Sequence, residues 1–317
     1  MRDVDLVASG YISFDRIVKI DRPAHVGRTS IVINQDSADI HFGGCSVNIC
    51  YLLSKLGKQT LPIVRIGDDA EKQGFYQYLE KSGVRSEGVR HVPGTATSHA
   101  YLIEDMDGEH ITLFHPGAMS GKHATPPDDA WFEKTKFATI IVGAPEDNLL
   151  VLEKVKRHNV PLIFGMRIDD VAFPVPVLKQ IIAQTSYLFM NQSETEAVCK
   201  LYGIKEIQEM FALSSLKIIV TTLGSKGSVY HQVTHQGIKT DTIPAVPLDC
   251  VVDPAGAGDA YLAGFVYGLL EAKSVRICAE YGSTLASFIL KAVGCTTNAP
   301  DLTSFLECHA KHYGGLR

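Results

Sequence analysis

The sequence predicts an α/β protein with a mostly parallel sheet, helices on both of its faces, and a small separate β-sheet beside it. Three observations carry this. Strand-like apolar runs alternate with helix-spaced runs from residue 138 to residue 223, the rhythm of a parallel sheet covered on both sides. A hairpin pattern at 98–115 interrupts that rhythm. The chain of 317 residues, 45% hydrophobic and 21% charged, is long and apolar enough for one large core. One domain over 1–317 is expected, with the small sheet formed by insertions near 12–42 and 95–118.

The elements follow in order. Residues 4–10 read as a strand ending in glycine, and Asp15 comes five residues later. Strand C-terminal ends face the ligand crevice in such sheets, so Asp15 is a candidate for binding a substrate group; a solvated loop carboxylate is the plain alternative. Ile17, Val18 and Ile20, then Ile31, Val32 and Ile33, suggest two strands separated by a turn at 23–27. Gly43 and Gly44 then lead into a helix with Asn48 near its start, Ile49, Leu52, Leu53 and Leu56 on one face, and Gly57 closing it. Glycines let a ligand approach the backbone, and the Asn48 amide offers both donor and acceptor, as a polyol requires. Residues 61–66 read as a strand, followed by a helix ending at Gly83. In the hairpin, Tyr101, Ile103, Ile111 and Leu113 alternate with other residues about a turn at 106–109.

From there, strands at 138–142, 162–165, 187–190 and 218–223 alternate with helices at 146–158, 176–184 and 194–202, and a loop at 126–129 precedes a helix around Trp131. Asn191 and Glu194 have the spacing of a capping box; the functional alternative is a magnesium–phosphate site in which Glu194 holds a metal-bound water. Thr222, Gly224 and Gly227 offer a hydroxyl and bare backbone to a nucleotide phosphate, or form a simple hairpin turn. At 255–258 the chain is nearly free of side chains, and a helix is predicted to start near Ala257. Unpaired N–H groups and the positive helix end there suit an anion. Asp259 falls in the first turn. A carboxylate beside an anion-binding turn points to phosphoryl transfer, with the acid taking a proton and the amides stabilising charge; a glycine turn with an acid favourable to the dipole is the alternative. A final long helix carries Tyr281, Leu285, Phe288 and Ile289, and a small-residue loop runs on from Gly294 to Asn298.

Several classes are disfavoured. A net charge of −5 gives no basic footprint for nucleic acid. Residues 1–5 lack a signal-peptide pattern and no apolar run approaches a membrane span, so a cytoplasmic setting is expected. Seven scattered cysteines form no C-x-x-C pair and read as reduced thiols. No P-loop motif occurs, and Tyr261 stands where a dinucleotide-binding segment would have its third glycine.

Taken together, Asp253 to Asp259 (D-P-x-G-A-G-D), Gly43-Gly44 with Asn48, Asn191 with Glu194, and Thr222 to Gly227 resemble the signatures of the ribokinase-like (PfkB) carbohydrate and nucleoside kinase family, in that family's order and over essentially the whole chain. The resemblance implies a three-layer α/β/α sandwich with a β-sheet lid, and ATP and Mg2+ as cofactors. It implies Asp259 as general base, backbone of Gly256, Ala257 and Gly258 as anion hole, and Asp15, Gly43, Gly44 and Asn48 on the substrate. It assigns Asn191, Thr222, Gly224, Gly227 and Gly258 to the nucleotide and Glu194 to Mg2+ through water. Asp253, Ala255, Gly294 and Asn298 match a monovalent-cation (K+) site, and members often form homodimers through the lid. Residues 114–119 look like a segment of bacterial and archaeal adenosine kinases, and Phe14, Phe42 and Phe114 are candidates to stack a base. Ser13 stands where ribokinases carry Asn, which disfavours ribose. Arg167 is a candidate for an anionic substrate, with an ordinary surface arginine as the plainer reading. The expectation is a kinase acting on a primary hydroxyl of a nucleoside or sugar. Rival readings are a sugar or sugar-acid kinase, a non-catalytic binding protein on the same fold and, distantly, an NAD-dependent oxidoreductase.

Overall fold

The structure, a computed structural model, describes residues 4–314, with His110 described by its backbone alone. The strands are β1 (Val4–Ser9), β2 (Ser13–Lys19), β3 (His41–Gly43), β4 (Thr60–Ile66), β5 (Val89–His91), β6 (His99–Glu104), β7 (His110–His115), β8 (Thr135–Ile140), β9 (Leu162–Gly165), β10 (Thr185–Asn191), β11 (Ile218–Thr222), β12 (Ser228–Thr234) and β13 (Gly237–Ile243). The α-helices are α1 (Cys45–Lys55), α2 (Phe75–Ser82), α3 (Asp129–Phe132), α4 (Pro145–His158), α5 (Val175–Gln184), α6 (Gln192–Tyr202), α7 (Met210–Leu213), α8 (Ala257–Leu270), α9 (Val275–Ile289) and α10 (Leu302–Tyr313).

Among the described residues the strands form two sheets. The larger has nine strands in the order β13-β12-β11-β10-β9-β8-β1-β4-β5. Its run from β11 to β5 is parallel, and β12 and β13 join antiparallel at one edge. Core clusters lie on both faces. One packs Leu6, Ala8 and Ile163 against α1, α8 and α9; the other packs Val7, Ile140 and Phe164 against α4 and α5. Because β1 is flanked by β4 on one side and β8 on the other, the chain leaves it in opposite directions, and the crevice opens at the strand ends beside Gly10 and Val142. This is the expected α/β/α sandwich.

The second sheet has the order β3-β2-β6-β7. It is the predicted small sheet, with β2 and β6 parallel and the other two pairs antiparallel. The expected strand at 31–33 shrinks to one bridge between Ile20 and Val32. The reason is Asn34, whose side chain accepts from the Lys19 N–H at 2.7 Å and donates to the Ile17 carbonyl at 2.9 Å, occupying backbone groups that a longer ladder would use. Helix α10 was not expected; Asp301 caps it and Phe305 anchors it in the core.

Helices α8 and α9 approach closely because three glycines lie between them. A Cβ at Gly264 would stand 2.4 Å from the Tyr281 carbonyl oxygen, at Gly268 2.8 Å from Cys278, and at Gly282 2.8 Å from the Tyr261 carbonyl oxygen. No described helix is long and apolar enough to cross a membrane.

Candidate active site

Helix α8 starts where the small residues predict. Gly256 is its N-cap in the left-handed region at φ 76°, and a Cβ there would stand 2.7 Å from the Cys295 side chain. A Cβ at Gly258 would meet nothing within 4 Å, so the first turn opens onto free space. Asp259 sits in that turn, 8% exposed. Its carboxylate accepts from the Asn48 side-chain amide at 2.8 Å across 211 residues of sequence. Asn48 is 2% exposed, and its carbonyl oxygen has no partner. Helix α1 is held there by the Ser46 hydroxyl, which donates to the Gly10 carbonyl at 3.0 Å.

Asp15 lies on β2 opposite His41 and accepts from the Ser13 hydroxyl. Burial pushes its carboxyl up from the ordinary range, partly offset by the Ser13 hydroxyl and by His41. Asp15 shares a neighbourhood with Asp259: burial first, then Asp259, Asp15, Cys45 and Asp253, push the Cys295 thiol well up. Gly43 and Gly44 also answer a demand from within the chain. A Cβ at Gly43 would lie 2.8 Å from the Asp15 carboxylate, and one at Gly44 2.2 Å from the Tyr11 carbonyl oxygen. Both glycines are thus required by contacts of the chain with itself.

At the end of β10, the Asn191–Glu194 capping box is complete. The Glu194 N–H donates to the Asn191 side chain at 2.9 Å, and the Asn191 N–H to one Glu194 oxygen at 2.7 Å. The other Glu194 oxygen is uncommitted within these bonds. Glu194 is 8% exposed, and burial raises its pKa against the Asn191 hydrogen bond and the charge of Arg167. Arg167 is an exposed residue, and its guanidinium lies within reach of the charges of Asp259 and Glu194. Thr222, Gly224 and Gly227 link β11 to β12 at the same sheet edge, and a Cβ at Gly227 would collide with the Ile243 carbonyl at 2.0 Å.

The Asp253 carboxylate ties two loops together, accepting from the Ala255 N–H at 2.8 Å and the Gly294 N–H at 2.9 Å. The Asn298 amide donates to the Phe288 carbonyl at 2.8 Å. Among the described residues no group of three His, Cys, Asp or Glu is placed to hold a metal.

A sequence profile for the pfkB family carbohydrate kinases matches residues 5–302. The chain belongs to the pfkB family. A nucleoside kinase of Methanocaldococcus jannaschii is 30% identical over 304 residues, covering 96% of either chain. The crystal structure of Methanocaldococcus jannaschii nucleoside kinase, an archaeal member of the ribokinase family, matches with a TM-score of 0.86 at 27% identity, covering 98% of this chain and 100% of that one. Burkholderia thailandensis nucleoside kinase in complex with inosine matches with a TM-score of 0.83 at 25% identity, over 98% of this chain and 97% of that one.

As a pfkB kinase the protein is a phosphotransferase with an alcohol group as acceptor. Two aromatic expectations change. Phe14 is 1% exposed and packs edge-on to Phe42 at 5.0 Å and beside Phe75 at 5.7 Å, so Phe14 and Phe42 are core contacts under the lid. Phe114 lies in register with Ala100 and so with Asp15, on the same sheet face, and it pairs with Tyr11 at 4.8 Å. Sequence reasoning missed Tyr11; its place directly after the β1 glycine was the available signal. Burial, then Asp169, Asp147 and Glu146, push the Tyr11 hydroxyl up to about 12, keeping it a neutral donor. Arg167 stays exposed, as the plainer reading has it, with Asp259 and Glu194 as its charged neighbours.

Proposed function

We propose that this pfkB kinase transfers the γ-phosphoryl group of ATP to the 5′-hydroxyl of a ribonucleoside. The observation that carries the reading is the buried, unpartnered carbonyl oxygen of Asn48 beside Asp259. A buried acceptor without a partner is costly unless a ligand hydroxyl fills the need. Asp15, Asn48 and the backbone at Gly43 and Gly44 would bind ribose hydroxyls, and the Tyr11–Phe114 pair would flank the base. A nucleoside-kinase relative and an inosine-bound neighbour support the nucleoside choice.

Asp259 would take the proton of the attacking hydroxyl as its oxygen bonds to the γ-phosphorus and the bond to the ADP oxygen breaks. The proton stays on Asp259 until products leave. The N–H groups at Gly256, Ala257 and Gly258 would stabilise the charge on the transferring group, with the Arg167 guanidinium as a further counter-charge. Asn191, Thr222, Gly224 and Gly227 would lie along the nucleotide. The uncommitted Glu194 oxygen fits a water of Mg2+, an ion that keeps most of its waters and takes few carboxylates; when bound, it would neutralise phosphate charge. For K+, the Asp253 carboxylate, which also accepts from the Ala255 and Gly294 N–H groups, the Asn298 side-chain oxygen, whose amide N–H is bonded to Phe288, and carbonyls around Ala255 and Gly294 would supply oxygen ligands. The small sheet would act as a lid within one domain spanning 1–317, and its closure would exclude water. Free cysteines throughout suit a cytoplasmic setting.

An ADP-release panel of adenosine, inosine, cytidine, ribose, fructose and ketodeoxygluconate tests the reading. Turnover on nucleosides is expected, and turnover on the sugars alone would reject it. Clean ligand binding without turnover on any compound would favour a binding protein.

Asp15→Asn separates function from stability. The raised carboxyl means the folded state penalises the ionised form. Stability from this group is complete below the unfolded pKa, about 3.9, and is lost as pH rises through the folded value. The variant should therefore melt higher than wild type at neutral pH, by about 2 °C per kcal/mol of relief. The gap should close as the pH approaches about 4. Nucleoside affinity should fall about 10- to 100-fold with the lost charged acceptor. A variant that melts lower at pH 7 would contradict the burial argument.

The outer lid face presents Tyr101, Ile111 and Leu113, 40%, 46% and 55% exposed, with Ile31, Val32 and Ile33 exposed nearby. A clustered apolar face suits a second copy of the chain. Leu113→Arg is expected to convert a dimer to a monomer in light scattering; wild type that is already monomeric at micromolar concentration would remove the proposal.

A further inference from the structure

A cavity of about 270 Å3 is walled by the loop Gly294 to Thr297, whose Cys295 also touches Gly256. Asp15, Gly44, Asn48 and Asp259 do not line it. Its polar wall is made by His41, Tyr51, Tyr78, Lys81, Thr296 and Thr297. Among the described residues no carboxylate lines it, and Lys81 has no ion pair. The Tyr51 and Tyr78 rings stack at 4.6 Å, and the Tyr78 hydroxyl is bonded to that of Thr296 at 2.8 Å. The wall therefore combines an ammonium, an imidazole and several hydroxyls with flat aromatic surface. That chemistry selects an anion attached to a ring, the anion for the ammonium and imidazole and the ring for the tyrosines.

We propose that this cavity is a regulatory site for a small ring-bearing phosphomonoester, of pentose-phosphate or mononucleotide kind, and that its occupancy tightens the anion hole. The phosphate would sit between Lys81, His41 and Thr297, with the ring toward Tyr51 and Tyr78. The coupling runs through one loop with two sides. Gly294 to Thr297 wall the cavity. On the other side the same loop gives the Gly294 N–H to Asp253, which also holds the Ala255 N–H, and sets Cys295 against Gly256. A ligand that fixes this loop fixes the backbone from which the phosphate-facing amides project, and so raises turnover. The cavity neighbours the nucleoside cleft at His41, which faces Asp15 across β2 and β3, and the proposal can fail while the nucleoside reading stands.

The test is calorimetric titration of the full chain with ribose 5-phosphate and, separately, with adenosine 5′-monophosphate. The cleft is first saturated with a non-hydrolysable ATP analogue and nucleoside. Saturable binding is expected with at least one of the two, and their relative affinities decide between the pentose phosphate and the mononucleotide. Lys81→Glu should weaken it by about tenfold or more, as loss of a charge-assisted hydrogen bond implies. Lys81→Arg should restore most of it, and neither variant should change basal kcat or KM. In turnover assays the ligand should raise kcat without competing with ATP or nucleoside. Absence of binding once the cleft is blocked, or equal binding by Lys81→Glu, would overturn the site. Binding there with unchanged or lowered kcat would overturn the coupling.

Discussion

Asp259→Asn is expected to lower kcat by about 10²- to 10⁴-fold, the range for removing a positioned general base, while leaving fold and ATP affinity close to wild type. The asparagine keeps an oxygen that can still accept from the Asn48 amide, so the contact between α1 and α8 survives. What disappears is the capacity to take a proton. Single-turnover kinetics with melting curves and ATP binding in parallel would check this. A variant with near-normal turnover would remove Asp259 from the chemistry; one that fails to bind ATP would mean the residue shapes the anion hole instead.

The second large effect is expected at Gly256. Alanine there meets two independent obstacles: a left-handed backbone at φ 76°, and the Cys295 side chain 2.7 Å from the new methyl. The left-handed conformation alone costs about 1–2 kcal/mol for a residue with a Cβ. Relief requires the first turn of α8 to shift, which misaims its N–H groups. A loss of about 10²- to 10³-fold in kcat follows if one donor is misplaced. Gly258→Ala is the control for the fold, because it lies inside the helix with open space around it. Replacing a helical glycine by alanine is favourable by about 0.5–1 kcal/mol, so Gly258→Ala should melt at or above wild type and Gly256→Ala below. Equal melting temperatures for the two would show that the Cys295 contact does not constrain the turn.

Much of this site was legible because its parts are local. Small residues at 255–258 expose backbone, and the helix begins where they do. The Asn191–Glu194 spacing gives a capping box, and the box is present in both directions. Residues whose role depends on distant partners were not legible. The apolar triplet at 31–33 has a strand composition, yet Asn34 ends its pairing by bonding to β2. The sequence did not reveal that the missing side chains of Gly43 and Gly44 also accommodate Asp15 and Tyr11. Arg167 stands alone in the sequence and acquires its surroundings only when β9 brings it across from α1, α6 and α8. Phe14 and Phe42 alternate correctly for a sheet, but alternation does not say which face covers the core and which covers the cleft.

The glycine-lined contact between α8 and α9 has a dynamic consequence. With main chain pressed on main chain at three levels, the helix bearing Asp259 has no room to slide or tilt, and it is buried along most of its length. The catalytic half of the cleft then behaves as a fixed anvil, and the strokes of opening and closing fall to the four-stranded sheet. Amide protons of α8 should accordingly be among the slowest to exchange in the molecule, with or without bound nucleotide, while those of β6 and β7 should slow when the cleft fills.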